Sequence, residues 1–380
     1  MRKIFLTAIA LLSMASASVF GMYGVDTDWI FFLTHGNQFR ARLDQLGFTL
    51  GNDTIKGTFG FDNNTGFGGA YGGLLVDNDG THYSFVPSIS MGLAYTSSLI
   101  SVGVGYNATI GGQTQKFNGK TEPKTVNKSA HTPVLVLNAM DNAFRMAIPI
   151  QVYVDNDKFD GGGYDNKMAV SVDSQFRYYT GLDALPQVRL FLRYGLYQNE
   201  SKVDKDAEKV KTKYGESFGF DFRLYFGSMV EEVALQPLVR LAYDGALGNY
   251  HSKTRIQAVN AMDGDYDAVS YGGGVWNLTL MTGLGLTANS DIVSLYLEPQ
   301  LGLKVTRKAP TTSPDVGGAG VPTPASIASD SYNLAYNVYA EIYITPLKNL
   351  EWYFEASINN DIGSLAFAGT TGITWYLPAL

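Results

Sequence analysis

Several long segments of the chain alternate between apolar residues and small or polar ones. From Tyr83 to Tyr95 every second residue is apolar or aromatic, whereas the residues between them are mostly Ser, Gly, Ala and Val. The same period of two runs from Ile100 to Ile110, from Phe218 to Phe226 and from Val293 to Val305. A period of two is typical of strands with one apolar face, so these segments predict strands rather than helices.

The length of these predicted strands points to a membrane. The segment from Tyr83 to Tyr95 covers about 40 Å at ~3.3 Å per residue. A strand of that length tilted by about 40° rises roughly 30 Å, which is the thickness of the hydrocarbon core of a bilayer. The Tyr at each end would then lie where membrane barrels carry their aromatic girdles.

The predicted connections alternate between short and long. Short connections are expected at 97–98, 141–142, 182–186, 227–232, 288–291 and 346–349, and long polar ones at 111–130, 155–166, 198–215, 244–271 and 306–330. This rhythm predicts an all-β fold, a transmembrane antiparallel β-barrel of about 16 strands (roughly 14–18) with long outer loops and short periplasmic turns. Prolines fall inside four predicted strands, where each removes a ladder hydrogen bond, so we expect bulges or breaks at Pro87, Pro149, Pro237 and Pro299.

The N-terminal residues have the pattern of an export signal. Arg2 and Lys3 precede an apolar run from Ile4 to Met14, and Ala15-Ser16-Ala17 fits a cleavage site. The run is too short to span a bilayer. We therefore expect a secretory signal peptide at 1–21, an N-terminal lead-in segment at 22–37 and an outer-membrane β-barrel at 38–380.

Composition agrees with an exported β-protein. Charged residues make up 17% of the chain, below the roughly 25% of soluble domains, and Gly, Tyr and Phe are abundant. The absence of cysteine from the sequence excludes disulfides and thiolate metal sites. The formal net charge of −7 argues against nucleic acid as a partner.

If the apolar positions face lipid, the alternate positions line the lumen. The predicted lining carries basic residues on the eighth to eleventh strands and acidic residues on the thirteenth to fifteenth, namely Arg177, Arg189, Arg193, Arg223 and Arg240, and Glu298, Glu341, Glu351 and Glu355. Two such walls facing each other across water would orient polar solutes in a diffusion pore. The alternative is that these charges pair with each other and with neighbours such as Asp173 and Asp221, and fill the interior without conducting.

Other chemistry has less support in the sequence. Asp263, Asp265 and Asp267 begin like a calcium-binding loop, but Gly274 stands where its twelfth residue should be Glu. We interpret them as a solvated acidic loop and expect no cofactor. His82 and His131 begin predicted strands near the long loops, where an outer-membrane hydrolase would place a His beside a Ser or an acid. No neighbouring motif singles out a nucleophile, so we do not expect an enzyme.

The first third of the chain carries a long and unusual string of residues. It includes Gly21-Met22-Tyr23-Gly24, Trp29, the run GNQFRAR at 36–42 and the run DQLGF at 44–48. In these residues the chain resembles the variable surface proteins (Vsp family) of intestinal spirochaetes. The resemblance implies an abundant outer-membrane surface protein that varies antigenically among paralogues and assembles into multimers, and it brings no catalytic residues.

Together these observations predict a surface-exposed barrel in the cell outer membrane. Its wall would contact outer-membrane lipid, its outer loops would meet host molecules or antibodies, and it would also allow passive porin-like diffusion. A dedicated general-diffusion porin or solute channel is the alternative, and an outer-membrane hydrolase is a more distant one. The expectation that several copies form a homo-oligomer rests on the resemblance alone.

Overall fold

The computed structural model describes residues 27–42, 45–63, 87–115, 124–158, 162–230, 233–248, 254–258, 274–308, 329–360, 366–378 and 380. A short 3₁₀ helix covers Thr27–Phe31 and precedes the strands. The strands are β1 (Gln38–Arg42), β2 (Gln45–Gly51), β3 (Ile55–Asn63), β4 (Pro87–Tyr95), β5 (Ile100–Gln115), β6 (Lys124–Ala139), β7 (Phe144–Lys158), β8 (Tyr164–Tyr179), β9 (Gln187–Lys202), β10 (Val210–Tyr225), β11 (Ser228–Val230), β12 (Val233–Ala246), β13 (Trp276–Asn289), β14 (Val293–Lys308), β15 (Ser329–Leu347), β16 (Leu350–Asn359) and β17 (Ala366–Tyr376). Among the described residues no helix is long and apolar enough to cross a membrane.

The strands close into an antiparallel barrel. Each strand pairs with its neighbours along the chain, β10 pairs with β12, and β1 pairs with both β2 and β17 to complete the ring. The three-residue β11 belongs to the turn between β10 and β12. Sixteen strands therefore form the ring, which confirms the predicted fold and strand number. Among the described residues, every strand of this ring therefore pairs with a neighbouring strand on each side.

The two faces of the wall differ as the alternation predicted. On β4 the side chains of Met91, Leu93 and Tyr95 are exposed on the outside, whereas Ser88 and Ser90 are buried inside. Residues 83–86 of the first alternating segment lie outside the described residues. On β5 the same division holds, with Ile100, Val102, Val104 and Tyr106 outside and Ser101, Asn107 and Thr109 inside.

The connections are sorted between the two ends of the barrel. One end, the turn rim, carries the connections 52–54, 96–99, 140–143, 180–186, 226–232, 290–292 and 348–349. The other end, the loop rim, carries 43–44, 64–86, 116–123, 159–163, 203–209, 247–275, 309–328 and 360–365. In the turn 140–143, Met140, Asp141 and Asn142 all have positive φ, a conformation in which Asp and Asn are enriched.

Several of the predicted long loops are largely strand. β5 continues to Gln115 and β6 begins at Lys124, and β9 and β10 extend to Lys202 and from Val210. At ~3.3 Å per residue, a 16-residue strand such as β5 is longer than the roughly 9–11 residues that span a membrane. The predicted boundaries were wrong there because a strand that extends beyond the bilayer can be polar on both faces. Its sequence then shows no alternation between apolar and polar residues.

The prolines do not produce the expected bulges. Ala147–Gln175 and Ile150–Val172 belong to one register on the two sides of Pro149. Pro237 and Pro299 likewise lie inside strands of unchanged register. In the described strands the shifts occur instead between Lys213 and Gly215 and between Ile344 and Leu347. β4 begins at Pro87, where a missing N–H costs least.

The assignment of faces predicts that a lysine introduced on the outer face of the wall costs more stability than one introduced on the inner face at the same height. Leu301 on β14 is exposed outside and pairs with Tyr336, next to the inward and half-buried Asn337 on β15. Leu301→Lys should lower the free energy of unfolding in phospholipid vesicles by about 2–4 kcal/mol, because it places an ammonium group in hydrocarbon. The matched control Asn337→Lys faces the interior and should cost much less. Equal costs in urea titrations would contradict the assignment.

Candidate functional site

The five arginines predicted to line the lumen all lie on the inner face of neighbouring strands. Arg177 is on β8, Arg189 and Arg193 are on β9, Arg223 is on β10 and Arg240 is on β12. Asp221 on β10, with a relative exposure of 0%, lies in the middle of this group. Its Oδ2 is 2.8 Å from Nη2 of Arg223 and 2.9 Å from Nη2 of Arg240. A buried carboxylate is thus held by two guanidinium groups, which offset its desolvation.

Arg193 lies among three carboxylates. Its guanidinium is 3.3 Å from Asp244, 3.5 Å from Asp173 and 3.7 Å from Asp221. Asp173 also forms an ion pair with Arg255. The charges in this part of the basic wall are therefore balanced by neighbouring carboxylates. The alternative in which Asp173 and Asp221 pair with the arginines predicted these contacts.

The arginines nearer the turn rim pack on aromatic rings. The guanidinium carbon of Arg177 lies 4.4 Å from the ring centre of Phe31, and that of Arg189 lies 4.5 Å from the ring centre of Tyr225. Cation–π contacts of this kind hold a guanidinium flat against the ring face. Arg189 is consequently held against the wall by Tyr225 of β10, whereas Arg177 is held against Phe31, which precedes the first strand.

Tyrosine hydroxyls hold the acidic wall. Glu298 on β14 accepts hydrogen bonds from Tyr296 and from Gln300 (2.6 Å). The hydroxyl of Tyr339 lies between Glu341 on β15 and Glu355 on β16, 2.8 Å from Glu355. A second tyrosine donates to Glu341, the hydroxyl of Tyr343 at 3.1 Å. Glu351 also lies on the inner face of β16 and is half-buried.

The two walls are neighbours rather than opposites. The arginines lie on β8 to β12 and the glutamates on β14 to β16, so only β13 separates the two groups in the ring. On the other side of the acidic wall, β1 carries Arg40 on its inner face, buried next to β17. The electric field in the lumen therefore runs between adjacent parts of the wall. The prediction that the basic and acidic walls face each other across the lumen was wrong, because the strands that carry them are close neighbours in the ring.

A segment before the first strand lies inside the barrel. The N-terminal segment, defined here as residues 27–35, contains five successive apolar residues from Trp29 to Leu33 that are 0–4% exposed. They pack on small inward residues of β4 to β7, which we name the cradle: Gly92, Ala94, Gly103, Gly105, Val134, Val136 and Ala147. The sequence predicts only a lead-in segment at 22–37 and does not predict where it packs. An apolar run without alternation was the signal that could have revealed it.

Polar contacts hold the end of this segment near the turn rim. Nζ of Lys56 donates to the carbonyl oxygens of Leu33 (2.8 Å) and His35 (2.6 Å). Nδ2 of Asn37 donates to the carbonyl oxygens of Gly51 (2.9 Å) and Pro378 (2.7 Å). Burial lowers the pKa of His35 well below its usual range, and the nearby positive charges act in the same direction. His35 is therefore neutral at pH 7.

A second segment enters the interior from the loop rim. Residues 254–258 belong to the connection between β12 and β13, and Ile256 and Ala258 are buried against Tyr153, Ala169 and Tyr197. The backbone N–H groups of Ile256 and Ala258 donate to the hydroxyls of Ser217 and Ser171, at 2.9 and 2.8 Å. The interior is thus narrowed from both ends by chain segments that hydrophobic periodicity does not identify.

His131 forms a polar group on the outer face. One ring nitrogen is 2.6 Å from the hydroxyl of Tyr106, and the other is 3.1 Å from the hydroxyl of Ser129. A base beside a hydroxyl is one part of a hydrolase site. However, the backbone around Ser129 pairs with both β5 and β7, which commits its N–H groups to the sheet rather than to an oxyanion. We assign this group no catalytic step.

The metal and histidine candidates are only partly covered by the structure. Asp263, Asp265, Asp267 and His82 lie outside the described residues. Among the described residues, no group of three or more His, Asp or Glu side chains is arranged to hold a metal ion. The candidate site is the interior of the barrel, where the described arginines, carboxylates and tyrosines are in contact.

Comparison with known families decides the family. The model of the Serpulina hyodysenteriae variable surface protein family matches residues 2–270 and 250–376. The chain belongs to this family. Membership agrees with the resemblance in the first third and extends it over most of the chain. Together with the barrel fold, it supports an outer-membrane location.

Solved structures resemble the fold at low identity. The ferric-catecholate import receptor Fiu from E. coli K12 is 10% identical, with 86% of this chain and 63% of the receptor covered and a TM-score of 0.43. The translocator domain of autotransporter NalP from Neisseria meningitidis is 14% identical, with 74% and 90% covered and a TM-score of 0.33. CdiB from Acinetobacter baumannii is 10% identical, with 90% and 60% covered and a TM-score of 0.39. The chain thus spans less than two thirds of Fiu and of CdiB. No curated protein matches it.

The buried ion pairs predict a large effect of a small substitution. Asp221→Asn removes the charge that Arg223 and Arg240 share and leaves both largely buried guanidinium groups without this carboxylate partner. The free energy of unfolding in urea should fall by about 3 kcal/mol or more, as it does when one partner of a buried pair is lost. The exposed Asp291→Asn, in the turn between β13 and β14, is the control and should be nearly neutral. Similar values for both variants would contradict the role of Asp221.

Proposed function

We propose that this protein is a surface-exposed antigen in which the barrel is the scaffold and the loop-rim connections are displayed to the host. The observation that carries the proposal is the difference between the two rims. Turn-rim connections contain two to seven residues, whereas 64–86, 247–275 and 309–328 on the loop rim are far longer. The family to which the chain belongs is described as variable surface proteins.

The physics of the scaffold supports this division of roles. Outward positions of the strands must stay apolar, and inward positions take part in the ion pairs and hydrogen bonds of the interior. Apart from residues 254–258, which are held in the interior, we expect the loop-rim connections to be under neither constraint, so substitutions there should leave the barrel intact. The segment 309–325 reads APTTSPDVGGAGVPTPA, and its Pro, Gly, Ser and Thr content is typical of a tolerant loop tip.

Epitope insertion tests the display directly. A short tag inserted between Gly317 and Gly318 should be labelled by antibody on intact cells without loss of the folded barrel. The same tag inserted after Ser290, on the turn rim, should be labelled only after the outer membrane is permeabilised. Labelling of the Ser290 insertion on intact cells, with the Gly317 insertion protected, would contradict the proposed orientation.

Passive diffusion of small polar solutes is the second candidate function. The inner wall carries charges of both signs, which favours this candidate. The side chains of Arg193, Arg223 and Arg240 remain 12%, 19% and 17% exposed to solvent. Charges held against a low-dielectric wall focus the field on a passing ion. The role is that of a porin-like path with weak selectivity, secondary to display.

Removal of positive charge tests this candidate. The triple variant Arg189→Ala, Arg193→Ala and Arg223→Ala should shift the reversal potential of channels in planar bilayers toward cation selectivity. A control that removes the same number of charges next to the loop rim, Lys209→Ala in the 203–209 connection with Lys211→Ala and Lys213→Ala at the start of β10, should shift it much less. Absence of channels from the purified parent protein, or equal shifts in both variants, would contradict the candidate.

A further inference from the structure

The cradle is a continuous smooth patch on an inner wall that is otherwise mostly polar. Two rows of residues form it through direct cross-strand pairs, Ala94–Gly103–Val136–Ala147 and Gly92–Gly105–Val134. Glycine weakens a strand interior and often marks a place where another part of the structure approaches closely. Three glycines on the inner face of two adjacent strands therefore indicate a surface on which another part of the structure packs closely.

The N-terminal segment fits this patch closely. A Cβ at Gly92 would lie 2.8 Å from Cζ3 of Trp29, and a Cβ at Gly105 would overlap the indole ring. At Gly103 a Cβ would lie 3.2 Å from both Cδ2 of Leu33 and Cε1 of Phe32. The cradle is thus shaped for aromatic and branched side chains at backbone contact, and any larger residue in it would displace them.

Polar groups surround the apolar contact. The guanidinium of Arg177 covers Phe31, Nη1 of Arg145 lies 3.4 Å from Oγ1 of Thr34, and Lys56 binds the last carbonyls of the segment. Trp29 and Phe32 also pack edge to face, with ring centres 5.6 Å apart. Without the segment, the cradle would present a bare apolar patch to water, which is unfavourable.

The attachment of the segment is narrow. Asn37 is anchored to both Gly51 and Pro378. Between this anchor and the buried residues lies Gly36, which is exposed and whose Cβ would meet nothing within 4 Å. A side chain at Gly36 would therefore have no close contact where the segment connects to Asn37. The apolar residues of the segment are buried against the cradle.

We propose that the cradle is a peptide-binding site on the inner wall of β4 to β7, that its ligand is residues 27–35 of the same chain, and that the bound segment closes the turn-rim half of the lumen. The chemistry of the ligand is an aromatic-rich apolar peptide, matched by glycines below it and by cations at its edge. The binding site stands independently of the diffusion candidate. Only its consequence for permeability rests on that candidate.

Thiol labelling tests the binding site without any reference to conductance. The chain has no cysteine, so Ile30→Cys, at a position of 0% exposure, introduces a single thiol into the full-length protein in lipid vesicles. A hydrophilic maleimide should label it slowly. Adding Gly105→Val should speed labelling about tenfold or more, because the new side chain overpacks Trp29. The control Gly57→Val, whose Cβ would have no neighbour closer than 3.9 Å, should leave the slow rate unchanged.

Two results would overturn the proposal. Fast labelling of Ile30→Cys in the parent background would show that the segment is not bound in the cradle. Labelling that stays slow in both Gly105→Val and the milder Gly103→Ala would show that the cradle does not hold it. If Gly105→Val fails to fold, Gly92→Ala takes its place, since its Cβ would lie 2.8 Å from Cζ3 of Trp29 and requires the indole ring to shift.

A peptide added in trans tests closure. Trp29→Ala should raise the conductance of the barrel in planar bilayers above that of the parent, and a synthetic peptide with the sequence of residues 27–37 should lower it again, whereas a scrambled peptide should not. Raised conductance that the peptide leaves unchanged would overturn closure by this segment. If no variant conducts while Ile30→Cys labelling follows the prediction, the diffusion candidate and closure fail, and the peptide-binding site remains.

Discussion

The structure depends on the pairing of β1 with β17. In hydrocarbon, every backbone N–H and C=O needs a partner within the protein, and a sheet meets this requirement only when it closes. Five residue pairs make the closure, from Gln38–Tyr376 to Arg42–Gly372. β1 is among the shortest strands of the ring, with five residues, so the wall is low where it closes. The closed ring then separates an outer face that must be apolar from an inner face that must be filled.

Different parts of the interior are filled by different chemistry. Near β4 to β7 an apolar segment covers small residues, and along β9 to β12 aspartates neutralise arginines around Asp221. Along β14 to β16 tyrosines hold glutamates. Each solution avoids the cost of an unpaired buried charge or a bare apolar patch. Apart from residues 254–258, which pack inside the barrel, none of these contacts involves a loop-rim connection, so the proposed display of variable loops is compatible with one conserved set of interior contacts.

The period of two was sufficient to predict the wall. Alternation in segments such as Ile100–Ile110 and Val293–Val305 identifies the outer face, because only lipid demands an apolar residue at every second position over such a length. The inward positions of Arg177, Glu298 and their neighbours follow from the same period. Periodicity does not predict every partner of a charge, because Asp221 also reaches Arg240 on β12 and Tyr339 also reaches Glu355 on β16.

The filling of the interior could not be predicted in the same way. The run from Trp29 to Leu33 has no alternation, and Gly92 and Gly105, which contact Trp29, are more than sixty positions from that residue in the chain. Residues 254–258 are held inside by the hydroxyls of Ser171 and Ser217, which look like ordinary inward positions. The ends of β5 and β9 were missed because polar strand beyond the bilayer and polar loop have the same composition.

Quenching of single tryptophans by brominated lipid tests the central claim, which is that the wall separates lipid from an interior that contains the N-terminal segment. Trp352 and Trp375 are exposed on the outer face, whereas Trp29 is buried inside. In variants that retain one of these tryptophans, with Phe at the other tryptophan positions, brominated acyl chains should quench Trp352 and Trp375 strongly and Trp29 hardly at all. Quenching of Trp29 as strong as that of Trp375 would contradict the account.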